Sequence, residues 1–163
     1  MSIRILITGG TFDKDYDEIT GKLYFNDTHM NEILELGRSK LDVKIKKLML
    51  IDSLEMTNND RKLILESCKS VKEKQIVITH GTDTMKKTAG LVAGEGLEKT
   101  IIFTGAMIPY KFGSSDGLFN LGGALSFVQT LPNGVYVAMN GHCFNWHEVQ
   151  KNKKTGVFEH IED

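Results

Sequence analysis

The sequence predicts an α/β fold in which a doubly wound, mainly parallel sheet lies between two layers of helices. Short β-branched runs alternate along the chain with segments of helical periodicity, and the composition stays uniform throughout. Glycine is common at the junctions and proline is rare, with 16 Gly and 2 Pro in 163 residues. Strands that alternate with helices are joined by right-handed crossovers, so the strands run parallel and helices cover both faces. The expected three-layer architecture is flavodoxin-like or Rossmann-like.

Five strands are predicted from apolar runs that end at polar or glycine residues. The first ends at Gly9 and Gly10, which is typical of a buried strand that enters a tight turn. In chain order the predicted strands cover residues 3–8, 43–51, 75–79, 101–103 and 135–139. The polar segment 140–163 is expected to leave the sheet and to end in one last strand.

Four helices are predicted between these strands, each from apolar positions three and four residues apart. Gly37 and Gly94 suit the ends of the first and third helices, and the fourth covers residues 118–131. The predicted capping residues of the first three helices are, in order, Thr28, Thr57 or Asn58, and Asp83 or Thr84.

Length and charge limit the partners of the chain. A chain of 163 residues is long enough to form one domain with its own hydrophobic core, so a single domain, residues 1–163, is expected. Twenty Lys and Arg against 21 Asp and Glu give a net charge of −1, which offers no field for nucleic acid or a membrane surface. With neither a signal peptide nor an apolar run of about 18 residues, the chain is expected to be cytoplasmic. The partner is therefore a small molecule.

Metal, redox and nucleotide chemistry find little support in the motifs. Cys68 and Cys143 belong to no CxxC pair and are expected to be reduced packing thiols. His142 and His147 are spaced wrongly for one helical face, so no metal site is predicted. The chain also lacks GxGxxG and GxxxxGK motifs, although a generic flavodoxin-like nucleotide binder remains an alternative that phosphate protection against unfolding would detect.

Polar residues follow the predicted strands at the edge where open α/β sheets bind ligands. Thr11 follows two glycines, and its hydroxyl is a nucleophile if a base is near, although a residue in this position is often a cap or turn residue. The cluster 80–84 contains two hydroxyls, a carboxylate and an imidazole, which is more than helix capping requires. We therefore expect a catalytic site at this edge.

The order of motifs resembles the bacterial type of the L-asparaginase and glutaminase family, and most closely its intracellular members. The resemblance covers nearly the whole chain. It rests on Thr8-Gly9-Gly10-Thr11, Asp52-Ser53, His80-Gly81-Thr82-Asp83-Thr84-Met85, Thr104-Gly105-Ala106-Met107, Ser115-Asp116-Gly117 and Asn120-Leu121.

The resemblance implies hydrolysis of L-asparagine, and also of L-glutamine, through an acyl-enzyme and without a metal or organic cofactor. Thr11 would be the nucleophile, and Tyr24 would orient its hydroxyl from a mobile lid loop. Thr82, Asp83 and Lys151 would form a second group that activates the nucleophile or water. Substrate-binding roles would fall to Gly10, Asp52, Ser53, Gly81, Thr82, Asp83 and Ala106.

Two features keep another function open. Leu54 occupies a position where many relatives have a polar residue, and the chain ends at Asp163, about where relatives enter a second domain. In the family that domain of a neighbouring subunit completes the site, so a homo-oligomer is expected. The alternative is a catalytically weak module that binds asparagine or aspartate, or a subunit that needs a partner chain.

Overall fold

Residues 1–162 are described by the computed structural model, and they form ten strands and four α-helices. The strands are β1 (Ser2–Gly9), β2 (Lys14–Asp17), β3 (Lys22–Phe25), β4 (Asp42–Ile51), β5 (Gln75–Thr79), β6 (Thr100–Thr104), β7 (Gly134–Met139), β8 (His142–Asn145), β9 (Val149–Lys151) and β10 (Phe158–His160). The helices are α1 (Met30–Leu36), α2 (Asn58–Ser70), α3 (Met85–Ala93) and α4 (Gly117–Val128). Two 3-10 helices cover Thr11–Asp13 and Tyr110–Phe112.

Six strands form the central sheet in the order β4–β1–β5–β6–β7–β8. The first five are parallel, and β8 runs antiparallel to β7 at one edge. The chain passes from β1 to β4 on one side and then to β5 on the other, so the winding direction changes between β1 and β5. Such a switch point is where doubly wound sheets bind their ligands.

Helices cover both faces of the sheet, as predicted. Helices α2 and α3 pack on one face, and α1 and α4 pack on the other. Side chains in β5 alternate accordingly: Ile76 and Ile78 join the first core and Val77 joins the second, all fully buried. Each such side chain contributes about 1.5–3 kcal/mol by leaving water. The predicted α/β fold is confirmed.

Two predicted helix caps are wrong. Thr28 lies one residue before the N-cap position of α1, which His29 occupies, and the Thr28 hydroxyl binds Asp13 instead. Thr84 is the N-cap residue of α3 but makes no side-chain cap, because its hydroxyl donates to the carbonyl oxygen of Ser53. Thr57 does cap α2, and with Asp60 it forms a reciprocal capping box.

The segments outside the helix and strand predictions contain more structure than expected. Helix α4 ends at Val128, three residues before the predicted end. Strands β2 and β3 form an antiparallel hairpin that no prediction covered. The last segment has three strands instead of one, because the Asn140-Gly141 turn, with φ of 56° and 80°, folds β8 back onto β7.

Both cysteines are free thiols, and their burial agrees with a packing role. Burial raises the pKa of Cys68 to about 12 and that of Cys143 to about 11. No helix within residues 1–162 is long and apolar enough to cross a membrane.

Candidate functional site

The loops after β1, β4 and β5 pack backbone against backbone at the switch point. A Cβ built on Gly10 would lie 2.5 Å from the Cα of Gly81, and one built on Gly81 would lie 2.6 Å from the Oγ of Ser53. These distances are well inside van der Waals contact, so glycine is required at both positions. Gly10 also has a φ of 75° and donates its N–H to the oxygen of Ile51 at 2.9 Å. The predicted substrate-binding residues 10, 53 and 81 therefore share one site.

Thr11 begins the 3-10 helix that follows β1, and the fully buried Phe12 anchors that helix in the core. The Thr11 side chain is partly exposed, and its hydroxyl has no hydrogen-bond partner within residues 1–162. The backbone N–H groups of Thr11 and Thr82 also lack an acceptor in that part of the chain. Because Gly10 contacts Gly81, these groups lie on adjoining loops. A hydroxyl and N–H donors without partners are what acyl transfer requires.

Thr82, Asp83 and Lys151 form a hydrogen-bonded group beside these loops. The Nζ of Lys151 is 2.8 Å from the Oγ1 of Thr82 and 2.8 Å from the Oδ1 of Asp83. Thr82 is buried, and the side chains of Lys151 and Asp83 are 17% and 47% exposed. The carboxylate thus fixes the ammonium group against the hydroxyl through a charge-assisted bond.

Lys151 reaches this group from the small β9–β10 sheet, which is separate from the central sheet. Val149 and Phe158 anchor the two strands in the same core as α2 and α3. Lys151 is paired with Phe158 across this sheet. The packing of a short hairpin therefore sets the position of an ammonium group 69 residues away from Thr82 in sequence.

Ser53 is held by a buried arginine. Arg61, on α2, donates from Nη2 to the Thr84 hydroxyl at 2.9 Å and from Nη1 to the Met56 oxygen at 2.7 Å. Thr84 in turn donates its hydroxyl to the Ser53 oxygen at 2.9 Å and its N–H to the Ser53 Oγ at 3.3 Å. Only 1% of Ser53 is exposed. Its Oγ can donate its own proton to an acceptor such as a substrate carboxylate.

Asp52 binds Lys14, which projects from β2. The Nζ of Lys14 is 2.6 Å from the Oδ2 of Asp52, and the backbone N–H of Leu54 donates to the other oxygen at 3.0 Å. The hydrogen bond from Lys14 keeps the pKa of Asp52 below its ordinary value. Asp52 therefore joins the hairpin to the loop after β4. Leu54 itself is 71% exposed at the rim.

Asp13 closes the base of the hairpin that contains β2 and β3. Its Oδ1 accepts from the Thr28 hydroxyl at 2.8 Å and from the His29 N–H at 3.3 Å, while its Oδ2 is buried without a partner among the described residues. Burial raises the pKa of Asp13 to about 6. Tyr24 lies on β3, is 47% exposed and makes no hydrogen bond to Thr11. The structure thus places Tyr24 on the hairpin without joining it to the other candidate residues.

Ala106 lies in the loop after β6 and is buried in the core formed with α1 and α4. Asp116 and Asn120 fix the shape of this loop. The Asp116 carboxylate accepts from the N–H groups of Met107 and Ile108 at 3.0 Å, and the Asn120 amide donates to the Gly105 oxygen at 2.9 Å. Ala106 as a whole is only 1% exposed, so its methyl group packs in the core below the loop.

His80 belongs to the core rather than to the reactive group. It is fully buried, with Nδ1 2.8 Å from the Gly81 oxygen and Nε2 2.8 Å from the Thr88 hydroxyl. Burial lowers its pKa to about 4, so the ring is neutral. Through its contact with the Gly81 oxygen, the ring supports the loop that contains Gly81. Within residues 1–162 no group of three or more His, Cys, Asp or Glu side chains could hold a metal ion.

Sequence reasoning missed Lys14, Arg61 and Asn140 as residues that hold the site. Lys14 acts through a hairpin whose two strands have only four residues each, so no pattern indicated it. Arg61 comes directly after the capping box of α2. Arginine is usually a surface residue, so nothing in the sequence indicated that this side chain is only 4% exposed. Asn140 precedes Gly141, and an Asn-Gly pair between apolar segments is a sequence signal that could have predicted this tight turn.

Comparison with known proteins gives a consistent result. The model of the family described as "Asparaginase, N-terminal" matches residues 2–160. A probable periplasmic L-asparaginase from Haemophilus influenzae is 32% identical over 96% of this chain and 48% of its own length. One of the subunits of the glutamyl-tRNA(Gln) amidotransferase from Methanococcus vannielii is 32% identical over 94% of this chain and 38% of its own.

A solved structure agrees at the level of the fold. The thermostable L-asparaginase from Thermococcus kodakarensis has a TM-score of 0.87 and 26% identity, over 99% of this chain and 51% of that one. The chain thus spans about half the length of the relatives it matches.

Proposed function

Because the chain belongs to the asparaginase family, whose amino-terminal domain it matches, we propose that it hydrolyses L-asparagine to L-aspartate and ammonia and accepts L-glutamine as a second substrate. The observation that carries the proposal is the group formed by Lys151, Thr82 and Asp83, on a loop that adjoins the hydroxyl of Thr11. A buried hydroxyl does not need an ammonium and a carboxylate for stability alone. Their arrangement suits proton transfer.

Thr11 is the nucleophile in the first half of the reaction. Its Oγ1 attacks the side-chain amide carbon, and its proton passes to the leaving nitrogen, so that ammonia departs and a threonyl ester remains. Charge that develops on the amide oxygen is stabilised by the N–H groups of Thr11 and Thr82. Tyr24 orients the Thr11 hydroxyl when the hairpin closes over the substrate.

Thr82 and Lys151 act in proton transfer. The Thr82 hydroxyl and the Lys151 amino group relay the proton of Thr11 to the leaving nitrogen, and Asp83 holds the lysine in place. In the second half of the reaction, water attacks the ester, aspartate leaves, and Thr11 regains its proton. The atoms balance without a redox step or a further co-reactant.

The α-ammonium and α-carboxylate groups of the substrate lie against the loops that contact each other at Gly10 and Gly81. Asp83 accepts from the α-ammonium group, and Ser53 donates to the α-carboxylate. Gly10, Gly81 and Ala106 present backbone groups to the substrate, while Asp52 supports this wall of the site through its bond to Lys14. These hydroxyls, charges and N–H groups suffice for acyl transfer without a cofactor. A cytoplasmic location stays a prediction.

The proposal is tested by ammonia release from L-asparagine and L-glutamine, with Thr11→Ala and Thr82→Ala measured beside the unchanged chain. Thr130→Ala is the matched control, because Thr130 is exposed and precedes β7 at the opposite edge of the sheet. Loss of turnover in the first two variants and its retention in the control would support the proposal. Equal turnover in all four proteins would contradict it.

A second candidate function is a site that a partner chain completes. Exposed apolar side chains belong to the loops and hairpins that contain the candidate residues, and the chain spans about half the length of the relatives it matches. The rim side chains are Tyr24, Leu54, Met107, Ile108 and Val157. An apolar rim of this kind is typical of an interaction surface. If copies of the chain complete one another's sites, specific activity rises with protein concentration, and sedimentation detects a homo-oligomer over the same range. If asparagine binds without turnover, the chain is instead a sensor or an incomplete subunit.

A further inference from the structure

The Asn140 side chain makes a contact that its turn does not require. Asn140 and Gly141 both have positive φ, and this conformation alone explains an Asn-Gly pair between β7 and β8. The Asn140 Oδ1 nevertheless accepts the backbone N–H of Phe158 at 2.9 Å. Glycine would satisfy the turn equally well but would lose this bond.

Phe158 is the residue paired with Lys151 across the β9–β10 sheet. The bond from Asn140 therefore holds the hairpin at the position opposite the lysine. Each of these strands has only three residues, and within the described chain they pair only with each other, so few backbone bonds fix them. A shift of β10 would move the Lys151 ammonium relative to Thr82.

Asn140 is itself held from the other side. Its backbone N–H donates to the Oδ1 of Asn120 at 3.1 Å, and the Nδ2 of Asn120 donates to the Gly105 oxygen at 2.9 Å. Asn120 is 2% exposed, so this amide is fixed in the interior. A chain of hydrogen bonds thus connects the loop after β6, which contains Ala106, to the hairpin that contains Lys151.

We propose that Asn140 is a positioning residue for Lys151, and this inference rests on the proposed function of the Lys151 and Thr82 pair. Its side-chain oxygen sets the register of the β9–β10 hairpin and thereby keeps the ammonium within hydrogen-bond distance of the Thr82 hydroxyl. Asn140 does not touch the substrate. Its loss affects proton transfer more than substrate binding.

Asn140→Gly and Asn140→Asp separate this role from the role in the turn. Both replacements tolerate positive φ, glycine fully and aspartate nearly as well as asparagine. Only aspartate keeps an oxygen acceptor for the Phe158 N–H. Both variants are expected to fold, with Tm values within about 4 °C of the unchanged chain.

The first readout does not depend on activity. Acetic anhydride labels amines, and mass spectrometry compares the labelling of Lys151 with that of the exposed Lys153 in the same molecules. We expect the ratio of Lys151 to Lys153 labelling to rise severalfold in Asn140→Gly and to stay unchanged in Asn140→Asp. An unchanged ratio in Asn140→Gly overturns the inference, even if the chain has no turnover and the proposed function fails.

The second readout is kinetic. In Asn140→Gly, kcat for asparagine is expected to fall about ten- to a hundredfold, since small displacements of a catalytic group cost this much. KM is expected to stay within about twofold, because binding is unaffected. Asn140→Asp retains the original kcat. An equal loss of kcat in both variants, or an increase in KM alone, contradicts a positioning role for the side-chain oxygen.

Discussion

Gly10 and Gly81 touch through their backbones, and a Cβ on Gly10 would lie 2.5 Å from the Cα of Gly81. This contact brings the end of β1 to the end of β5, and with them Thr11 and Thr82. The sequence suggested only that Gly9 and Gly10 form a tight turn after the first strand. The structure adds a packing reason that acts even without a ligand.

Replacing Gly10 with Ala is expected to cost about 3 kcal/mol or more of the free energy of unfolding, through the clash and the positive φ. Urea unfolding measures this loss. Gly122→Ala is the control, because a Cβ there meets nothing within 4 Å and lies in α4. That control is expected to be neutral or to stabilise the protein by up to about 1 kcal/mol. Similar midpoints for both variants would argue against the packing role.

Lys151→Met is expected to lower kcat about a hundredfold or more, because it removes the group that accepts a proton through Thr82. Its effect on unfolding should stay within about 1 kcal/mol, since the bond to Asp83 is partly exposed. Lys153→Met removes an exposed neighbouring charge and serves as the control. Steady-state ammonia release measures kcat in both variants, and full activity in Lys151→Met would exclude a role of this lysine in proton transfer.

Asp13 makes the folded protein less stable at neutral pH. Its pKa is about 6 in the folded state against an ordinary 3.8, so the folded state binds a proton first as the pH falls. The stability it contributes is fully present below about pH 3.8 and is lost as the pH rises through about 6.

Asp13→Asn removes this dependence. Relative to the unchanged chain, the variant is expected to gain stability between about pH 4 and about pH 6, by an amount on the order of 3 kcal/mol at most. Urea unfolding at a series of pH values measures the difference. A constant difference across that range would show that the carboxyl group does not titrate there.

The pH dependence of stability that His80 contributes is opposite in sign to that of Asp13. Burial lowers its pKa from 6.5 to about 4, so the unfolded chain takes up a proton first and stability is lost as the pH falls from about 6.5 to about 4. The losses at His80 and the gains at Asp13 overlap, so the unchanged chain is expected to show a flatter profile than either variant. Relative to the unchanged chain, His80→Gln should gain stability as the pH falls from about 6.5 to about 4. A profile parallel to that of the unchanged chain would contradict a neutral, buried imidazole.

The fold could be predicted from the sequence because local patterns and tertiary packing agree there. The five parallel strands appear as apolar runs, and the alternation of Ile76, Val77 and Ile78 between two cores explains why the run is apolar throughout. The β2–β3 hairpin could not be predicted, because its strands are short and half exposed. Thr28 was mistaken for a cap because the acceptor of its hydroxyl, Asp13, is 15 residues away.

The site was predictable where residues follow strands and unpredictable where distant segments fold onto them. Thr11, Ser53 and Thr82 each follow a parallel strand, so the topology alone brings them together. Lys151 came from the family resemblance, and its contact with Thr82 depends on a hairpin that no periodicity indicated. The contacts of Lys14 and Arg61 likewise depend on tertiary structure.

The acyl-enzyme is the most direct test of Thr11 as the nucleophile. Acid quenching of the chain during turnover of L-asparagine, followed by intact-mass measurement and peptide mapping, would detect an aspartyl ester. We predict an ester on the peptide that contains Thr11, and its absence from Thr11→Ala. Ammonia release without any adduct, an adduct on another residue, or neither ammonia nor adduct would contradict the assignment of Thr11 as the nucleophile of this chain.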